Sequence, residues 1–194
     1  TQAIKVPDEL AQDFTKKTYR WIDPNLRIKK FHQNLFNELL SKMKKNNDIK
    51  YMKAALNEAK KAARIKEVPV GCVIVHNDKI IARAYNKREV LNKATAHAEI
   101  LAIEKASKKL NSWRLEDCTM YITLEPCVMC SGAIIQARVP KVIYGALDPR
   151  FGTHVSKINL FDVKFNHTVD IKGGILEEEC SKIIKDFFKE LRAK

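Results

Sequence analysis

The chain has 194 residues, enough to bury the core of one domain with an appendage and tight for two full-sized domains. Hydrophobic residues make up 45%, too many for a disordered chain. There is no apolar run of the roughly 20 residues a membrane span needs and no secretory signal, so the cytoplasm is the expected compartment. Lys and Arg number 36 against 23 acidic residues, a net charge of +13 that points to a polyanionic partner such as RNA, with a merely lysine-rich surface as the plain alternative.

Residues 1 to 47 read as a helical N-terminal extension of unknown role, with helical runs at 7 to 17 and 24 to 42. The second run carries Leu26, Phe31, Leu35, Phe36, Leu39 and Leu40 at roughly helical spacing. The polar stretch Met43-Lys44-Lys45-Asn46-Asn47 predicts a boundary, and a single domain should fill 48 to 194. It opens with an amphipathic helix over 49 to 65, whose face is Tyr51, Met52, Ala55, Leu56, Ala59 and Ala63. Two β-branched runs, 70 to 75 and 79 to 85, are joined by a link of hairpin length and should pair antiparallel. A helix over 96 to 109, a strand over 118 to 124, a helix over 127 to 138, a strand over 141 to 146 and a last helix over 176 to 193 complete an α/β pattern. This alternation predicts a mixed sheet with crossover helices.

Two short motifs carry chemistry. Cys127 and Cys130 lie three apart at a predicted helix start, one turn apart on one face, where the helix dipole favours thiolates. Thirty residues upstream, His97 and Glu99 also open a helix, with Thr95 as the expected N-cap. One imidazole and two thiolates make three zinc ligands and leave the fourth tetrahedral place to water, the open coordination of a catalytic site. Glu99, two residues from His97, need not ligate and can act as the acid and base. The pair reproduces the known H-x-E and P-C-x-x-C signature of the zinc-dependent nucleobase deaminases. The alternatives fit less well. A closed zinc ribbon lacks a fourth ligand, since Cys72, Cys118 and Cys180 stand alone in apolar surroundings, and a redox C-x-x-C leaves His97 and Glu99 unexplained.

From Asp48 to the C-terminus the chain resembles the bacterial tRNA-specific adenosine deaminases (TadA type) of the cytidine/deoxycytidylate deaminase superfamily. The likeness covers 147 residues and rests on Glu67-Val68-Pro69-Val70-Gly71, Tyr85-Asn86, Thr95 to Ile100, Leu124 to Cys130, Phe165-Asn166-His167, and Gly174 to Leu176 through Cys180 to Phe187-Phe188. The resemblance implies a three-layer α/β/α sandwich with a five-stranded mixed sheet, one zinc ion per subunit, a homodimer, and conversion of wobble adenosine to inosine in a tRNA anticodon loop, that of an arginine tRNA. It further implies that Val70, Asn86, Asp148, Arg150, Asn166, His167, Phe188 and Arg192 bind the substrate. Amide hydrogen bonds and aromatic or guanidinium stacking suit bases splayed from an RNA loop.

The residues themselves keep plainer readings open: Phe187 and Phe188 could be core, Asn86 could begin a turn, and His167 could be an ordinary loop residue. Relatives usually have small residues after the Asp-x-Lys/Arg step, whereas this chain has the bulkier Asp148-Pro149-Arg150-Phe151-Gly152-Thr153-His154-Val155-Ser156, where substrate choice could change. Two other functions compete. One is a deaminase of free nucleosides or of bases such as cytosine or guanine, for which the basic surface would have no purpose. The other is a non-catalytic tRNA-binding subunit, for which Glu99 would have none.

Overall fold

From Pro24 to Arg64 the backbone is one 41-residue helix, α1. The sequence predicts two helices parted by the polar run at 43 to 47, but that run holds neither Gly nor Pro, and Met and Lys are good helix formers. Polarity alone does not interrupt a backbone hydrogen-bond ladder. The computed structural model describes residues 24–193, with side chains from 32 onward, so the expected helix at 7 to 17 and the side chains of Leu26 and Phe31 lie outside the described residues. The chain divides into two units between Lys44 and Lys45. In the first, Leu35, Phe36, Leu39, Leu40 and Met43 are all exposed.

The second unit is built on a five-stranded sheet of order β2-β1-β3-β4-β5. Its strands are β1 (Gly71–His76), β2 (Lys79–Tyr85), β3 (Cys118–Leu124), β4 (Lys141–Ala146) and β5 (Asp170–Lys172). β1 pairs antiparallel with β2 and with β3, while β3 to β4 and β4 to β5 are parallel. The β1–β2 link is a two-residue turn at Asn77 and Asp78, both at positive φ (47° and 57°), the backbone that matches the twist of a tight hairpin. β5 is missing from the sequence reading because three residues with only Ile171 half-buried leave no alternation to detect.

Period-two alternation sorts the strand side chains onto two cores. Cys72, Ile74, Met120, Ile122, Val142 and Tyr144 face one way, against α2 (Ala98–Leu110) and α3 (Val128–Gln136). Val73, Val75, Tyr121 and Ile143 face the other, against α1 and α4 (Glu177–Arg192). This is the three-layer sandwich. Apart from Glu99, the buried residues of α2 are alanines, Ala98, Ala102 and Ala106, about one per turn, small side chains that let the helix lie close on the sheet. On α1 the buried face is Tyr51, Met52, Ala55, Leu56, Ala59 and Ala62, with Ala63 half-buried. Gly71 is required where β1 begins, because a Cβ there would stand 2.1 Å from the Ala55 carbonyl oxygen and 2.4 Å from the Ala59 nitrogen. Among the described residues no helix is long and apolar enough to cross a membrane.

Candidate active site

α2 and α3 begin beside each other at the same end of the sheet, and each begins on a metal-ligand candidate. His97 is the N-cap of α2 and Cys127 the N-cap of α3, both in extended backbone, and neither makes a side-chain capping bond. The expectation that Thr95 caps α2 is corrected here: its carbonyl instead accepts from the His97 N–H at 2.8 Å, in the turn that leads to the helix. Cap positions usually hold Ser, Thr, Asp or Asn, whose oxygen binds the free N–H groups of the first turn. His97 and Cys127 forgo that bond, and both side chains turn toward one point.

There His97 Nδ1 stands 3.7 Å from Cys127 Sγ and 3.5 Å from Cys130 Sγ. The three ligand atoms all lie within 4.8 Å of one another. Zinc with bonds of about 2.3 Å to sulfur and 2.0 Å to nitrogen in tetrahedral array would set N and S about 3.5 Å apart, so the donor set fits such an ion. The protonation pattern agrees. A hydrogen bond from Cys130 and the neighbouring imidazole, working against burial, draw the Cys127 thiol down to about 4. The bond it makes to Cys127, together with burial, pushes the Cys130 thiol up.

Glu99 is 4% exposed and lines the same pocket. Helical spacing alone would turn positions 97 and 99 apart, but His97 is a cap with extended backbone, so its side chain does not follow the helical direction. Burial raises the Glu99 carboxyl above the usual carboxylate range. Its neighbours suit a group that must both take up and release a proton.

The pocket has a volume of about 810 Å³, ample for a nucleoside. Of the residues expected to bind substrate, it gathers Val70, Asn86, Asp148, Arg150 and Phe188. Asn86 is buried and commits one amide hydrogen to Glu67 Oε2 at 2.9 Å, while Glu67 Oε1 accepts the Val90 N–H at 2.8 Å. The Arg150 guanidinium lies 5.2 Å from the Phe188 ring centroid and 6.0 Å from that of Phe151, a cation and two rings at the mouth. Phe188 is half-buried and pairs edge-on with Phe187 at 5.4 Å. The pocket lining does not include Asn166, His167 or Arg192. Asn166 Oδ1 accepts from Arg138 Nη1 at 2.6 Å, His167 Nε2 lies 3.0 Å from the Val139 carbonyl oxygen, and Arg192 is exposed near the end of α4.

Two acidic residues that motif spacing does not single out also line the pocket: Glu67 before Val-Pro-Val-Gly and Glu125 before Pro-Cys. Both are almost fully buried. Burial works to raise the Glu125 carboxyl, but hydrogen bonds from Ser156 and from the Val155, His154 and Asp148 amides outweigh it and hold the group below its ordinary value.

Comparison with known proteins adds to this geometry. The family profile of the MafB19-like deaminases matches residues 46–192. The tRNA-specific adenosine deaminase of Bacillus subtilis (strain 168) is 51% identical over 145 residues, which span 74% of this chain and 90% of that protein. That of Aquifex aeolicus (strain VF5) is 48% identical over 143 residues, 73% of this chain and 94% of that protein. A solved structure from work on A-to-I editing by tRNA:A34 deaminases at the wobble position superposes with a TM-score of 0.67 at 41% identity, covering 69% of this chain and 97% of that one.

Proposed function

The chain belongs to the tRNA-specific adenosine deaminase family, and from that premise we propose that it hydrolyses the wobble adenosine of a tRNA anticodon to inosine, with an arginine tRNA as the expected substrate. The observation that carries the reading is the convergence of His97, Cys127 and Cys130 beside a buried carboxylate, Glu99, at the wall of a nucleoside-sized pocket.

His97, Cys127 and Cys130 would hold zinc, which when bound acts as a Lewis acid and brings the pKa of a water down to roughly 7. Glu99 does the proton work. Its carboxylate takes a proton from the attacking water, delivers it to N1 of the purine as oxygen adds at C6, and passes the second proton to the departing ammonia. Water and adenosine thus become inosine and ammonia. Asn86 and Val70 would orient the flipped base inside the pocket. Asp148, Arg150 and Phe188 would hold the flanking nucleotides at the mouth, Arg150 and Phe188 by stacking. Asn166, His167 and Arg192, outside the lining, would serve contacts farther along the RNA. Pairing of two chains is part of the proposal, because it would cover the exposed apolar side chains Val155, Ile158, Val163 and Phe165.

The test is incubation of the purified protein with total tRNA, followed by sequencing. A-to-G changes at the wobble position of an arginine tRNA are expected. Ammonia release from free nucleosides or bases with tRNA left unchanged would overturn the reading, and C-to-U changes alone would overturn the choice of base.

A further inference from the structure

Glu125 immediately follows β3, just before the turn that carries Cys127, and its carboxylate is buried. A buried carboxylate is costly unless hydrogen-bond donors surround it. Here every donor comes from one later segment. Oε1 accepts the backbone N–H groups of three consecutive residues, His154 (2.9 Å), Val155 (2.8 Å) and Ser156 (3.1 Å). Successive amides converging on one oxygen form an anion-binding nest, and in this case the anion belongs to the chain itself. Oε2 accepts the Asp148 N–H at 3.0 Å and the Ser156 hydroxyl. One oxygen therefore ties together the first and last residues of the segment 148–156. The middle of the segment lies against the same group, since a Cβ on Gly152 would stand 2.3 Å from Glu125 Cδ and Oε2.

The segment is also fastened to the metal turn. The Thr153 N–H and hydroxyl both donate to the Pro126 carbonyl oxygen, at 3.1 and 2.9 Å. The Thr153 hydroxyl also lies 2.6 Å from the Ser131 hydroxyl, and Gly152 forms a backbone bridge to Cys127. Asp148, Arg150 and Phe151, which line the pocket, all belong to this segment, and Asp148 Oδ1 accepts the N–H groups of Arg150 and Phe151.

We infer that Glu125 is a positioning residue for the deamination: its carboxylate is the template on which residues 148–156 fold, and through it the RNA-facing side chains of that segment are held in fixed register with the metal turn. The inference rests on the tRNA reading for its kinetic consequence and on the hydrogen-bond geometry alone for its structural one. Glutamine at 125 has nearly the same shape but only one acceptor oxygen. Its NH₂ must then face amide donors, whichever way the side chain is turned.

The experiment is amide hydrogen exchange, read by mass spectrometry on the zinc-loaded full chain, for the wild type and Glu125→Gln. The exchange of peptides covering 148–156 should speed up by about ten-fold or more, the equivalent of one lost hydrogen bond. Peptides of α2 and α3 should be unchanged and the zinc content retained. In parallel, KM for an anticodon stem-loop should rise while kcat changes less. Unchanged exchange over 148–156 would overturn the inference whatever the activity. So would unchanged KM with a fall in kcat, which would place the effect in the metal turn. Should Glu125→Gln not fold, Ser156→Ala removes a single donor to Oε2 and is expected to speed the exchange of the same peptides by a smaller factor, with no change again counting against the proposal. The exchange readout needs no substrate, so an incorrect choice of tRNA or base would leave it standing.

Discussion

The two walls of the pocket are built on opposite principles. The metal wall is made of two helix starts whose cap residues, His97 and Cys127, direct their side chains outward to a shared point. The other wall comes from residues 148–151, part of a segment, 148–156, that has almost no regular structure and whose amides turn inward onto the carboxylate of Glu125. Helices fix the position of a few atoms with high accuracy, which bond-making requires. A loop folded about an internal anion can carry bulky, variable side chains at its surface and still keep its shape. On the proposed function, chemistry would fall to the first wall and selectivity to the second, and substitutions in the two walls should fail differently.

The largest effect is expected from Cys127→Ala, which removes a ligand: zinc content measured by mass spectrometry should drop and inosine formation should fall to background. Next comes Glu99→Gln, with zinc retained and kcat reduced by roughly 10² to 10⁴-fold, the usual range for a general acid and base. Retention of turnover in Glu99→Gln would remove this residue from the mechanism. Asn86→Ala loses a buried hydrogen-bonding group at the pocket wall and should lower kcat/KM by about ten-fold or more. In the loop segment, Arg150→Ala removes the cation beside the Phe188 ring and should raise KM for an anticodon stem-loop several-fold with kcat little changed, as read by steady-state kinetics. A fall in kcat of the size expected for Glu99→Gln would erase the distinction between the walls.

The same contrast separates what was legible in the sequence from what was not. The boundaries of β2, β3 and β4 follow from β-branched runs, and His97, Glu99, Cys127 and Cys130 follow from motif spacing, because local patterns encode both. Thr95 was a natural choice of cap by residue preference, yet the cap falls on His97, where the side chain serves another purpose. The stretch Met43 to Asn47 looked like a break because it is polar, whereas only a lost N–H or a strained backbone would end the helix. The role of Glu125 is not legible in the sequence, since its partners lie 23 to 31 residues farther on and no periodicity links them. Asn166 and His167 pair with Arg138 and Val139, 28 residues earlier, a long-range closure that spacing within a motif cannot show.

The uncapped starts of α2 and α3 have a consequence for folding. Each helix leaves first-turn amides without the oxygen that a serine or aspartate would have offered, so an ion held by His97, Cys127 and Cys130 would join the two helix starts in place of caps. A chelator should then lower the melting temperature as well as stop turnover, and an unchanged melting temperature would leave such an ion a catalytic role alone.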